Sequence, residues 1–252
     1  MSNIDLRLGD CFEGLKSIPD HSIDCIITDP PYGNTQCDFD YIVDEPTLLH
    51  ELKRVIKPNR AVCVFCESRM LARLIAAQPE WYRYTTVWVK TIPTGFLDCN
   101  RRPLRQFELI SVFSDKSPLY NPQYTYSTPY SHKRQKKCQC YAHNTPRIPT
   151  INKDGKRYPT DVIYCNSTKR VDCMHPTQKP AELIEYLIRT YSNAGDVILD
   201  PFAGSGTTAV AAINSDRSFI GWERDDGYYN AAIKRIETAK ITKAETLPID
   251  YD

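Results

Sequence analysis

A chain of 252 residues with a formal net charge of +1, 41% hydrophobic and 25% charged residues has ordinary globular bulk properties, which exclude wholesale disorder and collagen-like repetition. The length accommodates one α/β domain with a sizeable core and a small insertion, whereas two independent domains would be a tight fit. No run approaches the roughly 18 consecutive apolar residues of a membrane span, and the opening MSNIDLRLGD lacks the basic-then-apolar pattern of a secretory signal, so a cytoplasmic protein without membrane contact is expected.

In chain order, IDLRL is a strand candidate that runs into Leu8-Gly-Asp-Cys11. Ser22 to Thr28 is a β-branched run stopped at Asp-Pro-Pro, because proline cannot continue a hydrogen-bonded ladder. A helical pattern follows from Glu45 to Pro58, then the strand candidate AVCVFC, the helix candidate RMLARLIAA, and the strand candidates YTTVWVK and RQFELISVF. Residues 1–114 thus alternate as the first half of an α/β domain. Residues 115–170 change character: they are rich in Pro, Tyr, Ser, Thr, Lys and Arg and lack sustained periodicity, which predicts an irregular insert. Residues 171–252 return to regular alternation, with helix PAELIEYLIRTYS, strand DVILD, a glycine turn, helix TTAVAAI, strand SFIGWE and helix YNAAIKRIETAK.

Two stretches carry chemistry. In Asp200-Pro-Phe-Ala-Gly-Ser-Gly-Thr-Thr208 an apolar strand runs into a Gly-x-Gly turn and a helix; Gly204 and Gly206 let the backbone turn tightly and approach a ligand, and the helix start offers free N–H groups. Glu223 ends the next strand candidate, where an acid can bond both hydroxyls of a ribose, so the layout fits a nucleoside. The second stretch, Asp29-Pro30-Pro31-Tyr32, places a carboxylate, a rigid carbonyl and an aromatic ring at a strand's end, where α/β clefts open. An amino group conjugated to a base is a poor nucleophile. A carboxylate and a proline carbonyl accepting its two N–H bonds favour a pyramidal nitrogen with a localised lone pair, and the ring of Tyr32 offers a stacking face to an unstacked base.

These stretches, in the order Asp29-Pro-Pro-Tyr32, basic variable segment, Asp200-Pro-Phe-Ala-Gly-Ser-Gly206, resemble the permuted β group of the amino-group DNA methyltransferases. His175-Pro-Thr-Gln-Lys-Pro180 and Leu8-Gly-Asp-Cys11 match further positions of that group. The resemblance implies a Rossmann-like, mostly parallel seven-stranded sheet with one antiparallel strand, S-adenosyl-L-methionine as cofactor, and double-stranded DNA as partner. By resemblance, Asp29, Pro30, Pro31 and Tyr32 are catalytic. The cofactor is expected on Asp10, Cys11, Asp29, Lys179, Asp200, Phe202, Ala203, Gly204, Ser205, Gly206, Thr207 and Glu223, with Asp10 on its adenine amino group and Glu223 on its ribose; a helix-capping Thr207 and a solvated Lys179 are the plainer readings of those two. An aspartate at the first position goes with adenine N6 in the family, with cytosine N4 as the alternative. Methylation of RNA or a protein amide, or a catalytically idle DNA-binding module, are competing readings. The resemblance also leaves open monomer or homodimer and a cognate restriction endonuclease.

With a near-zero net charge, affinity for DNA must come from a local cluster of cations. Lys133, Arg134, Lys136, Lys137, Arg147, Lys153, Lys156 and Arg157 lie between His132 and Arg157 with Asp154 as the sole acid, and the insert also carries Tyr120, Tyr124, Tyr126, Tyr130, Gln135, Gln139 and Tyr141. Arg101, Arg102 and Arg105 extend the track, and the mixture fits target recognition. The ten cysteines are scattered and expected to be reduced. Cys138, Cys140, Cys165 and Cys173 lack paired zinc-ligand spacing, so no metal is expected, and Cys63 and Cys66 fall in an apolar strand as core.

Overall fold

The computed structural model describes residues 3–33, 41–132, 150–166 and 178–246. The first strands and helices are β1 (Ile4–Leu8), α1 (Cys11–Leu15), β2 (Cys25–Thr28), α2 (Glu45–Val55), β3 (Val62–Cys66), α3 (Ser68–Ala77), β4 (Tyr82–Thr94) and β5 (Arg105–Phe113). Four short strands follow, β6 (Thr125–Tyr126), β7 (Tyr130–His132), β8 (Thr150–Asn152) and β9 (Lys156–Arg157), and then β10 (Val162–Cys165), α4 (Ala181–Tyr191), β11 (Val197–Asp200), α5 (Thr207–Asn214), β12 (Ser218–Glu223) and α6 (Asp226–Thr246).

Eight strands form one sheet in the order β1-β12-β11-β2-β3-β5-β4-β10. Neighbours from β1 to β3 pair in parallel, β5 is antiparallel to both β3 and β4, and β10 is parallel to β4, so β5 alone runs against the rest. The central strands are short apolar runs because both faces are covered, and every residue of β2 and β3 is buried. Alternation along β3 divides the core: Cys63 and Phe65 pack with Leu183, Leu187, Ala209, Ala212 and Ile236 from α4, α5 and α6, whereas Val62, Val64 and Cys66 pack with Leu48, Leu52, Met70 and Leu74 from α2 and α3. Among the described residues no helix is long and apolar enough to cross a membrane.

The reversed strand and the parallel centre agree with the sequence expectation; the eighth strand does not come from it. Strand β10 lies in the stretch 115–170 that was predicted to be irregular. It is a strand because the exposed edge of β4 supplies its partner, over Val162↔Val87 to Cys165↔Lys90, and the Trp88 indole donates to the Cys165 carbonyl at 3.0 Å. Helix α1 was also not foreseen. It is built by the Asp10 carboxylate, which accepts the Phe12 and Glu13 N–H groups at 2.8 and 3.2 Å.

Residues Pro122–Thr160 form a compact unit of their own. In it β6 pairs antiparallel with β9 and β7 with β8. The ammonium of Lys156 lies 3.6 Å from the centroid of the Tyr124 ring and the Arg157 guanidinium 4.6 Å from that of Tyr130, so part of the predicted basic and aromatic track is spent within the unit. Lys133, Arg134, Lys136, Lys137 and Arg147, and with them Cys138, Cys140 and Cys173, lie outside the described residues.

Asp24 fixes the register at the centre of the sheet. It is 4% exposed, its carboxylate accepts the Val197 N–H at the start of β11 at 3.1 Å, and it pairs with Lys57 at 2.7 Å and Arg60 at 3.4 Å. Asp24→Ala removes these bonds and takes the partner from the half-buried Val197 N–H, so urea unfolding should show a stability loss of about 2–3 kcal/mol; an unchanged midpoint would contradict this account.

Candidate active site

The parallel strands all end on one edge of the sheet, and there the loops after β1, β2, β3, β11 and β12 surround a cavity of about 830 Å³. From β11 the chain crosses to β12 on one side, and from β2 to β3 on the other, so the loops after these two adjacent strands part and leave a crevice between them. One wall is Asp29–Tyr32, after β2; the other is Asp200–Ser205, after β11.

On the first wall, both oxygens of the Asp29 carboxylate are held. The Tyr32 hydroxyl donates to Oδ1 at 2.7 Å, and the Lys179 ammonium donates to Oδ2. Lys179 is 9% exposed and so is not solvated; its ammonium also lies 3.3 Å from Glu108 Oε2 on β5, and Glu108 Oε1 lies 3.3 Å from the ammonium of Lys90 on β4. The four side chains make a row of alternating charge at the cavity wall. Burial pulls the Lys179 ammonium down, but Asp29 and Glu108 outweigh it and leave the group above the ordinary lysine value. Burial pushes the Glu108 carboxyl up, but Lys179 and Lys90 together bring it below its ordinary value. In the low-dielectric wall each charge is tolerated only because its neighbours are opposite.

On the second wall, Gly206 (φ +75°) stands immediately before α5, and Gly204 (φ +53°) has no heavy atom within 4 Å of where a Cβ would sit, so the turn presents bare backbone to the cavity. Gly206 therefore caps the helix, not Thr207. The Thr207 hydroxyl instead accepts from Arg235 of α6 at 3.2 Å, and the same guanidinium donates to the Ser205 carbonyl and hydroxyl at 2.5 and 2.9 Å, buttressing the turn from behind. The Ala203 N–H donates to the Trp222 carbonyl at 2.9 Å and the Gly9 N–H to the Glu223 carbonyl at 2.9 Å, which ties the turn and the end of β1 to the end of β12. Asp200 is 4% exposed and accepts from the Thr208 hydroxyl at 2.6 Å and the Phe202 N–H at 3.1 Å, so it organises the turn.

Glu223, Asp10, Cys11 and Phe202 also line the cavity. Glu223 is partly exposed and accepts the Asp225 N–H at 2.7 Å, and burial raises its carboxyl above the ordinary range. One oxygen of Asp10 is taken up as the α1 cap. Burial pushes the Cys11 thiol up to about 12, which makes it an inert wall residue. Arg102 lines the mouth and Arg101 is exposed beside it. The sequence reading missed Glu108, Lys90, Arg235 and Thr208. An acid amid the apolar residues of RQFELISVF was the one available signal for Glu108.

A Rossmann-like sheet with a nucleoside-type glycine turn facing a carboxylate-and-aromatic turn defines a class of group-transfer enzymes, and comparison with known proteins specifies it. The family model described as DNA methylase, of the N6/N4 type, matches residues 23–234. The Type II methyltransferase M2.DpnII of Streptococcus pneumoniae is 30% identical over 92% of this chain and 89% of its own, and the Type II methyltransferase M.HpaI of Haemophilus parainfluenzae is 28% identical over 93% and 75%. The crystal structure of the M1.HpyAVI–SAM complex superposes with a TM-score of 0.62 at 25% identity, covering 92% of this chain and 99% of that one. PvuII DNA methyltransferase, titled cytosine-N4-specific, shares the fold with a TM-score of 0.68 at 18% identity, over 100% and 89% of the two chains. The chain belongs to the N6/N4 DNA methyltransferase family, and its cofactor is S-adenosylmethionine. The residues present fit that cofactor: open space at Gly204 lets it meet the backbone, and Glu223 stands at the end of β12, where it can accept from ribose hydroxyls.

Burial pushes the Asp200 carboxyl up to about 6, against the opposing hydrogen bonds from Thr208 and the Phe202 N–H. The folded state thus binds this proton more tightly than the unfolded state, so the group's contribution to stability falls as pH rises from its ordinary value near 4 to about 6. Asp200→Asn removes that dependence. Its stability relative to the wild type should improve by about 2 kcal/mol between pH 4.5 and pH 8 in urea unfolding of the cofactor-free protein; a pH-independent difference would show that Asp200 carries no buried charge.

Proposed function

We propose that this protein is a site-specific DNA methyltransferase that acts on the exocyclic N6 of an adenine turned out of the duplex. The observation that carries the reading is the Asp29 carboxylate, held from one side by Tyr32 and from the other by Lys179, on the wall opposite the glycine turn.

S-adenosylmethionine, when bound, supplies an electrophilic methyl group on a sulfonium. The chain's residues prepare the acceptor. A carboxylate has about four lone-pair sites, and Tyr32 and Lys179 each use one, so Asp29 keeps capacity for an incoming N–H while its plane is fixed. The Pro30 carbonyl takes the second N–H of the amino group. Accepting both bonds localises the nitrogen lone pair, and the Asp29 carboxylate is placed to take up the proton that the nitrogen loses on methylation. Tying its hydroxyl to Asp29 also sets the orientation of the Tyr32 ring, which offers its face to the base. Glu108 and Lys90 hold Lys179 in place and act as positioning residues. On the cofactor side, Glu223 holds the ribose, Asp10 the adenine amino group, and the backbone at Gly204 and Gly206 the remainder, supported by Arg235. Arg101 and Arg102, at and beside the mouth, contact backbone phosphates.

The aspartate at position 29, which goes with adenine in the family, favours adenine over cytosine; the two amino groups present the same pair of N–H donors, so the choice rests on that association and not on the site's hydrogen bonds. Incubation with labelled cofactor and duplex DNA, RNA or protein, followed by nucleoside analysis, should yield N6-methyladenine from DNA. N4-methylcytosine would change the base, and label in RNA or protein alone would remove the reading. Asp29→Ala should lower transfer by about 10³-fold or more while the Kd for cofactor stays within about threefold. Glu223→Ala should weaken cofactor binding by about 1–3 kcal/mol in calorimetry; unchanged affinity would withdraw its ribose role.

A further inference from the structure

The hairpin formed by β4 and β5 is longer than the sheet around it. Strand β5 pairs with β3 only from Leu109 to Phe113, whereas β4 and β5 continue together to Thr94↔Arg105, so residues 88–108 overhang the edge on which the cavity opens. The chain reverses at Gly95 (φ +93°) and a 3₁₀ turn, Phe96–Asp98. The overhang is apolar yet exposed: Leu97 is 103% exposed, Ile92 65%, Phe96 61% and Phe107 53%. It is also cationic. Arg101, Arg102 and Arg105 are exposed, no carboxylate lies within ion-pair distance of them among the described residues, and Asp98 is the only acid from residue 91 to 107. Arg102, Pro103, Leu104 and Phe107 line the cavity mouth, which places the tip beside the opening that the base must enter.

Exposed apolar side chains ringed by arginines fit poorly to water and to a neutral protein surface. They fit a duplex, in which phosphates meet the guanidinium groups and an apolar wedge can occupy the space between base steps. We propose that the β4–β5 tip, with Phe96 and Leu97 at its apex, is the wedge that opens the DNA stack and holds the gap while the target base occupies the cavity. This inference rests on the DNA methyltransferase reading and adds to it the element that drives extrusion of the base. The arginines anchor the tip, and the apolar apex offsets the unstacking cost that the site itself cannot offset until the base has arrived.

The test uses the full chain and a duplex oligonucleotide containing the site that the wild-type protein methylates in plasmid DNA, located by sequencing. The duplex carries 2-aminopurine in place of a target adenine, or as the 3′ neighbour of a target cytosine. For a Phe96→Ala, Leu97→Ala double variant, the fluorescence rise on binding should be lost and kcat/KM on the natural duplex should fall roughly 30-fold or more. A duplex with an abasic position opposite the target, whose base is already unpaired, should bring the variant back to within about threefold of the wild type. Leu97→Phe, which keeps an apolar apex, should retain activity. An undiminished fluorescence rise, an equal loss on both duplexes, or a shift from dimer to monomer in light scattering would each overturn the wedge while leaving the methyltransferase reading intact. Failure of the wild-type protein to methylate any duplex would overturn both.

Discussion

The rest of the structure depends on the parallel pairing of β2 with β11. These two strands are neighbours, yet the connections that leave them cross to opposite sides, so the loops at their ends cannot close over one another. The crevice is therefore a consequence of topology, and its two walls are supplied by stretches far apart in the chain. Asp24 enforces the pairing from the far end, where its carboxylate meets the first N–H of β11. A slip of one residue there would turn Cys25 and Ile27 to the other layer of the core and move Asp29 out of line with the glycine turn.

On this frame the two walls solve different electrostatic problems. The glycine-turn wall exposes backbone and needs no cation in the cavity, because Arg235 braces the turn from behind. The Asp29 wall holds buried charge, and it remains stable because Lys179, Glu108 and Lys90 alternate in sign. Lys179 and Lys90 are buried, and a buried ammonium without opposite charges beside it would carry a penalty of several kcal/mol. The same row keeps the Asp29 carboxylate rigid, and such rigidity is what a folded site gains over a carboxylate in water.

How much was legible in the sequence follows from the range of each interaction. Asp29-Pro-Pro-Tyr32 and Asp200 to Gly206 could be read because proline and glycine act locally: one ends a strand, the other permits a tight turn, whatever surrounds them. The strand candidates were legible from their apolar runs for the same reason. The pairing of Asp29 with Lys179 was not, since the two lie 150 positions apart: the His175–Pro180 motif marked Lys179 for the cofactor, and only the folded sheet brings it to Asp29. Glu108 and Lys90 needed the β4–β5 register to be brought together, and Arg235 needed the packing of α6 on the glycine turn. Strand β10 escaped notice because four residues in a polar stretch have no strong preference until an unpaired edge is offered to them.

That edge strand has a consequence for how such an enzyme can change. The unit Pro122–Thr160 leaves the main body at Asn121, whose side-chain amide donates to the carbonyls of Arg189 and Ser192 and whose N–H donates to Thr190, and the chain re-enters through β10 on β4. Both attachment points are thus pinned to the scaffold independently of what lies between them. The cost of closing a loop grows only slowly with its length, so the intervening segment can be lengthened, shortened or exchanged for another without disturbing the central sheet. Recombination at two fixed sutures can then replace the unit while the crevice and its two walls are inherited unchanged.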